Sequence, residues 1–169
     1  TVTSGEVTAT VTSGAASVLK ALTTTSTDAI TMTVNAEASG ATAAADLVSL
    51  NGNTNKAITM TAVTSVSGSY ADLENVYVTN KTQYDGVGDE AVAITGSVTA
   101  TEADTIADAT SGIVTATIDA ATAAALNAAL SDAQVNAYNL TINGSSAIST
   151  DITSLDNKTS GSITLSGTS

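Results

Sequence analysis

Short segments with threonine at every second position constrain this chain more than any other feature. They read Val7-Thr8-Ala9-Thr10-Val11-Thr12, Ile30-Thr31-Met32-Thr33-Val34, Ile58-Thr59-Met60-Thr61-Ala62-Val63 and Val98-Thr99-Ala100-Thr101. The series continues with Ile113-Val114-Thr115-Ala116-Thr117-Ile118, Tyr138-Asn139-Leu140-Thr141-Ile142 and Ile163-Thr164-Leu165-Ser166. Successive side chains leave a pleated strand on opposite faces, so period-two alternation of β-branched residues is the mark of a half-buried strand. Threonine is expected on one face and the aliphatic residues on the other.

Between these lie segments of a second kind. Ala15–Leu22, Thr42–Leu50, Tyr70–Val76, Glu102–Ala107, Thr122–Leu130 and Thr150–Leu155 bring Leu, Ile or Val back at three- or four-residue spacing, most of them in an Ala-rich setting. That spacing lays a narrow apolar stripe along two or three helical turns. Helices so short are not stable alone in water and need a sheet to lie on. Small polar residues or Gly near their starts, as at Ser13-Gly14 and Thr101, suit N-caps.

The helix starts fall near 15, 42, 70, 102, 122 and 150, an internal repeat of about 27 residues. Such periods mark solenoids, in which each unit buries its apolar face only against its neighbours. Strand–helix–strand units without hairpin turns imply parallel strands and right-handed crossovers. The expected fold is therefore α/β: a β/α solenoid of about six units, filling residues 1–169 as a single repeat domain. One parallel sheet would carry a Thr-rich exposed face, with the short Ala/Leu helices on the other. A sheet covered on both faces would instead need continuously aliphatic strands. The near-duplicates Ala29–Val34 (AITMTV) and Ala57–Ala62 (AITMTA) then read as equivalent strands 28 residues apart, with Ile30, Met32, Ile58 and Met60 buried. The pattern breaks at 76–91, read as an insertion: Val76–Lys81 as an additional strand, followed by a loop rich in Gly and acids. Insertions into repeats tend to map to a functional face.

The 32 Thr and 31 Ala leave room for only four Tyr and no Phe or Trp, so the core must be thin and built from Val, Ile, Leu and Ala. A hydrophobic content of 43% nevertheless excludes a disordered chain. Four Lys and no Arg or His face sixteen acids, for a net charge of −12. That balance excludes nucleic acid and anionic membrane surfaces as partners, and it suits divalent counter-ions. No apolar run approaches the roughly 18–20 residues that span a bilayer, so no membrane insertion is expected. The lack of Cys and His removes thiol chemistry and the commonest general base and metal ligand. The chain opens at Thr1 without a Met or a leader, as expected of a processed product or an excerpt of a longer protein.

Alternation of Thr-x-Thr strands with Ala/Leu helices, as in VTATEADTIADATSGIVTATIDAATAAALNAAL (Val98–Leu130), resembles the repeat-rich surface proteins of marine bacteria and cyanobacteria. These include giant adhesins, S-layer-like coats and extracellular fibre subunits, often accompanied by calcium-binding repeats. The resemblance implies an extracellular, cell-surface role that is structural or adhesive. The chain lacks the Gly-Gly-x-Gly-x-Asp nonapeptides of calcium-binding repeat toxins and the Leu/Asn pattern of leucine-rich repeats, so those metal sites and that architecture do not transfer.

Catalysis needs a base, nucleophile or metal in a defined constellation. A Ser-x-x-Lys match, Ser17-Val18-Leu19-Lys20, has the spacing used by penicillin-binding proteins and β-lactamases, yet neither of their companion motifs, Ser-Asp-Asn and Lys-Thr-Gly, occurs. It reads as an exposed lysine on a short helix, and the chain is expected not to be an enzyme. Asp85, Asp89 and Glu90 place three carboxylates on a Gly-containing loop, a candidate calcium site because hard cations prefer oxygen ligands; no other cofactor is expected. Asn80, Asn139, Asn143 and Asn157 open Asn-x-Ser/Thr glycosylation patterns, as chance matches in so Thr- and Ser-rich a chain would.

Thr8, Thr10, Thr31, Thr33, Thr59, Thr61, Thr99, Thr101, Thr115 and Thr117 are candidates for a lattice of hydroxyls on the sheet face. Strand propensity and cross-strand Thr pairing explain the same residues without a ligand. Two functions follow. The first is a non-enzymatic module of an extracellular fibre, surface layer or adhesin that self-associates through strand edges, since neither strand-like Thr1-Val2-Thr3 nor Ile163-Thr164-Leu165 reads as a polar cap. The alternative is a module binding ice, polysaccharide or mineral through the Thr face, its polysaccharide form weakened by the scarcity of aromatics.

Overall fold

The computed structural model describes residues 5–131, 133–144 and 149–166, so Thr1-Val2-Thr3 lies outside the described residues. Along the chain come β1 (Thr8–Thr10), β2 (Gly14–Ala15), α1 (Ala16–Leu19), β3 (Ala29–Thr31), β4 (Val34–Asn35), β5 (Thr42–Ala43) and α2 (Ala44–Asn51). Then follow β6 (Ile58–Thr59), β7 (Ser65–Gly68), α3 (Tyr70–Glu74), β8 (Tyr84–Asp85), β9 (Ala91–Val98) and α4 (Ala100–Ala107). The last elements are β10 (Val114–Ile118), α5 (Ala123–Ala129), β11 (Ala137–Asn143), α6 (Ser149–Asp156) and β12 (Ile163–Ser166).

The fold is mixed α/β, and its strand pairing is parallel throughout. Six strands form one sheet in the order β12-β11-β10-β9-β7-β5, so the strand order follows the chain. Three further parallel pairs, β1 with β3, β2 with β4 and β6 with β8, flank it, and a bridge from Thr33 to Thr59 links the β3 and β6 segments. Each helix packs against the next in sequence, from α1 to α6.

All six helices expected from the Leu/Ile stripe are present among the described residues, each starting within two residues of its expected position. Their stripes supply the buried Leu47, Leu50, Leu73, Ile106, Leu126 and Leu155, which meet Val66, Val92, Val114, Ile118, Leu140 and Ile142 from the strands. In β10 the alternation is complete: Val114, Ala116 and Ile118 are buried while Thr115 and Thr117 are exposed. With no Phe or Trp available, Tyr77 and Tyr138 are the bulkiest fully buried side chains.

Ile30, Met32, Ile58 and Met60 are all buried, as the duplicated phrase requires. Their register differs from expectation: Thr59 pairs with Thr33, 26 residues earlier, where a spacing of 28 would have matched it to Thr31. A two-residue slip preserves the inside–outside parity of every side chain, so burial is unaffected.

Three local expectations are corrected. Of Val98–Thr101 only Val98 is in a strand, as the last residue of β9: Thr99 is the N-cap of α4, and Thr101 lies inside the helix. The Thr99 side chain accepts the Glu102 amide while the Glu102 carboxylate accepts the Thr99 amide at 2.8 Å, a capping box that satisfies two otherwise orphaned donors. At α1 the cap position is Ala15, with no side-chain cap, so Ser13-Gly14 does not serve there. Val76–Lys81 is not a strand either, because α3 runs into one π-helical turn over Asn75–Thr79 and a 3-10 turn over Lys81–Gln83. The expected insertion is thus built into the stack, with Tyr84–Asp85 pairing with Ile58–Thr59.

Buried polar side chains stitch consecutive units together where a helix gives way to the next strand. The Asp28 carboxylate accepts the Val7 amide at 2.8 Å, Thr54 bonds both polar groups of the Ile30 backbone, and Asn136 Oδ1 accepts the Val114 amide at 2.9 Å. Thr110 donates to the Glu90 carbonyl at 3.0 Å, and Thr159 bonds both polar groups of the Tyr138 backbone. Each partner lies in the preceding unit, and apart from the Val7 amide, which is only part-buried, its backbone group would otherwise be buried and unpaired.

Candidate functional site

The acidic segment at 85–90 folds around its own carboxylate. Glu90 is 1% exposed, and its Oε2 accepts from the Gly88 amide at 2.8 Å, the Asp89 amide at 3.2 Å and the Tyr77 hydroxyl at 3.2 Å. Gly86 and Gly88 adopt φ of 90° and 124°, left-handed values that suit glycine and let the loop curl back onto Glu90. Asp85, on β8, and Asp89 are exposed while Glu90 points inward. Among the described residues no three of His, Cys, Asp or Glu form a group that could hold a metal ion, and of the three candidate calcium ligands Asp85 and Asp89 face solvent while Glu90 is bonded within the loop. Glu90 Oε1 is buried without a protein partner.

Tyr77 takes part in the same arrangement. Burial first, and then the Glu90 charge and hydrogen bond, raise its phenol pKa far above the ordinary value. Sequence reasoning missed this pair because Val76–Lys81 alternates like a strand; the π-helical turn that turns Tyr77 inward leaves no periodic trace.

The threonines divide between several surfaces. Thr8, Thr10 and Thr31 are exposed on the β1–β3 pair, where Thr10 faces Thr31 and Thr8 faces Ala29. Thr33 and Thr59 are half-buried partners, and the next residue in their row is Asp85. Thr59 and Asp85 line a shallow groove with Lys81, Tyr84 and Val87. Thr61 sits in a turn against Gly86. Thr115 lies between Ala93 and Ala137, and Thr117 between Ser97 and Asn139. With Thr99 capping α4, Thr101 inside it and Thr61 in a turn, the remaining candidates form short mixed rows of Thr, Ala, Ser, Asn and Asp. A continuous hydroxyl lattice is not what the register builds.

The Ser17 hydroxyl donates to Glu37 Oε2 at 2.8 Å, while Lys20 Nζ pairs with Asp46 Oδ1 at 2.8 Å, so the two groups of the Ser-x-x-Lys match engage different acids. Of the glycosylation candidates, Asn80 Nδ2 donates to Asn75, Asn139 Oδ1 accepts from Ser162, and Asn143 Nδ2 donates to the Ala120 carbonyl. Asn157 is exposed just beyond α6, and Ser145 of the Asn143 pattern lies outside the described residues. Among the described residues no helix is long and apolar enough to cross a membrane.

No family model matches the chain, and neither a curated protein nor a solved structure is significantly similar to it.

Proposed function

We propose that the chain is a non-enzymatic structural module of an extracellular bacterial fibre, surface layer or adhesin. In this proposal it is a β/α solenoid that assembles through its strand edges. One observation carries the reading: in the sheet order β5-β7-β9-β10-β11-β12 the strands of the main sheet add one beside another in the order in which they occur along the chain. Among the described residues β12 pairs with β11 on one side and carries Leu165 at 60% exposure. An exposed edge bearing an aliphatic side chain is a template for another strand, and a second copy stacked on it repeats the chemistry already present between units. Head-to-tail addition of this kind does not close, and so it propagates a filament.

The test is light scattering across a concentration series, with electron microscopy of the concentrated sample. Self-association that rises with concentration and falls in Leu165→Lys, which places a charge on the edge, is the expected result. A chain that stays monomeric at every concentration sinks the proposal.

A further inference from the structure

The main sheet has two faces of different character. Val66, Val92, Val114 and Ile118 point to the core, where α2, α3 and α4 pack against β7, β9 and β10. The alternate residues form the other face, and Thr115 and Thr117 of β10 are exposed on it. The register sets these residues abreast. Ser67, Ala93, Thr115 and Ala137 form one row, and Ser97, Thr117 and Asn139 a second, with no charged residue in either. The acids lie beyond the rows: Asp89 is two residues before Ala91 and Asp119 two residues after Thr117, both exposed. In a chain where sixteen acids face four lysines, a charge-free sheet face sets itself apart from the rest of the surface.

A second observation is where exposed aliphatic side chains fall. Ile113 and Val135 are 56% and 55% exposed, and each stands two residues before one member of the Thr115–Ala137 pair, so they are neighbours in one row. Ala91, exposed and one residue before the Val92–Val114 pair, extends that row. Lys158 follows Val135 in the register, but its ammonium is turned to the Asn127 and Leu130 carbonyls. Aliphatic residues exposed singly need no explanation, whereas a contiguous row of them on a strand face marks an interaction surface.

We propose that this face docks a second copy of the chain, sheet against sheet. Charge selects the occupant. Two chains of net charge −12 repel over most of their surface, and faces without acids meet with the least repulsion. A basic partner would be drawn instead to the acids elsewhere on the molecule. Rows of Ala, Ser and Thr are small enough to interdigitate with a second such sheet at a spacing of about 10 Å. With about 4.8 Å between strands and about six residues along each, the strands from β7 to β12 offer about 500 Å² per copy. Two copies then bury about 1,000 Å², the lower limit of a specific interface, so the dimer is weak and reversible. A two-fold pair of this kind closes on itself, unlike head-to-tail growth. Face pairing does not depend on assembly at strand edges, and either can occur without the other.

The experiment is sedimentation equilibrium in EDTA at concentrations up to about 1 mM, enough to detect a Kd of that order. Leu165→Lys, which blocks the β12 edge, serves as the parent chain, so that edge growth and face pairing are read separately. Thr115→Lys, Ile113→Ser and Thr101→Lys are compared in its background. Thr101 is exposed within α4, so its lysine changes the net charge as that of Thr115→Lys does without touching the sheet face. The parent should show a monomer–dimer equilibrium that stops at two copies and strengthens in molar NaCl, where repulsion is screened. Thr115→Lys sets like charges opposite each other and should weaken the dimer at least about tenfold. Ile113→Ser removes an aliphatic side chain from both copies without adding charge and should cost about tenfold. Thr101→Lys should pair as the parent does, with circular dichroism showing the fold retained in all four chains. A parent that stays monomeric, a dimer that weakens in molar NaCl, or equal affinity in the parent, Thr115→Lys and Ile113→Ser would overturn the proposal. Growth of the wild type beyond dimers, with no pairing of the parent, would overturn it while leaving edge assembly standing.

Discussion

The Thr159 hydroxyl holds the Tyr138 backbone by both of its polar groups, accepting the amide proton at 2.8 Å and donating to the carbonyl at 2.8 Å. Thr54 does the same to Ile30, one residue pair in an earlier unit, at 3.0 and 2.7 Å. A hydroxyl used in this way replaces a ladder hydrogen bond at the corner where the strand begins. Thr159→Val keeps the shape and removes both bonds, leaving a buried amide and a buried carbonyl unpaired. The expected loss is about 2–4 kcal/mol, read as a lower urea midpoint with an unchanged slope, and Thr159→Ser should recover most of it. Equal stability of the Val variant would show that water replaces the hydroxyl.

Two glycines follow these corner threonines at the same spacing, Gly112 after Thr110 and Gly161 after Thr159. A Cβ on Gly112 would overlap the Glu90 carbonyl, and one on Gly161 the Tyr138 carbonyl, both in the preceding unit. Backbone cannot yield as a flexible side chain does. Alanine at either position should therefore destabilise by about 3 kcal/mol or more, with the melting temperature down by about 6 °C or more. Gly14 is the control, since its Cβ would meet only Leu19 carbons at 3.6 Å, an ordinary contact. Gly14→Ala should stay within about 1 kcal/mol of wild type.

Legibility in the sequence followed the strength of the local signal. Leu47, Leu50, Leu73, Ile106 and Leu126 recur on one helical stripe, and that spacing placed the helices. Strands were harder because threonine serves as strand residue, cap and buried corner alike. Thr99-x-x-Glu102 was readable as a capping box, yet Thr99-x-Thr101 imitated a strand. β9 was missed because Gly96, at φ 83°, interrupts its alternation, and its register with β10 shifts there. The corner residues had a usable signal in the repeated Thr-Ser-Gly at 110–112 and 159–161, each just before a strand. The inward turn of Glu90 had none, since an acid among acids reads as a solvated loop. The slip that pairs Thr33 with Thr59 had none either, because a two-residue shift leaves the hydropathy pattern unchanged.

Two groups of residues set opposite pH limits. The Val7 and Thr25 amides hold the Asp28 pKa below its ordinary 3.8, so the folded state favours the carboxylate. That contribution is complete above the unfolded value and is lost as pH falls through the folded one. Burial raises the phenols of Tyr77, Tyr84 and Tyr138, and to a lesser extent Tyr70, above their ordinary 10.0. Their contribution is complete below about pH 10 and is lost as pH rises beyond it. Urea midpoints should drop below about pH 4, with a shallower drop in Asp28→Asn. Tyrosinate absorbance near 295 nm should stay low past pH 10 and then appear together with the loss of circular dichroism. Four phenols titrating near pH 10 in a chain that remains folded would refute the burial argument.

Lysines are scarce, and two of them test whether charge or geometry joins the units. Lys158 Nζ donates to the Asn127 carbonyl at 2.9 Å and the Leu130 carbonyl at 2.6 Å, the last turn of α5 in the preceding unit. A cation there satisfies carbonyls that the helix leaves unpaired and opposes the negative end of its dipole. Lys20 joins α1 to α2 differently, through an ion pair with Asp46 at 2.8 Å in which the lysine side chain is 45% exposed. Solvent screens that pair, and holding two side chains in one geometry costs entropy. Lys158→Met, which keeps the apolar stem, should lose about 1.5–3 kcal/mol with little dependence on salt. Lys20→Met should lose less than about 1 kcal/mol, and the difference should vanish in molar salt. Urea denaturation of both variants at low and high NaCl separates the cases, and comparable losses for the two would mean that Lys158 contributes as a surface charge alone.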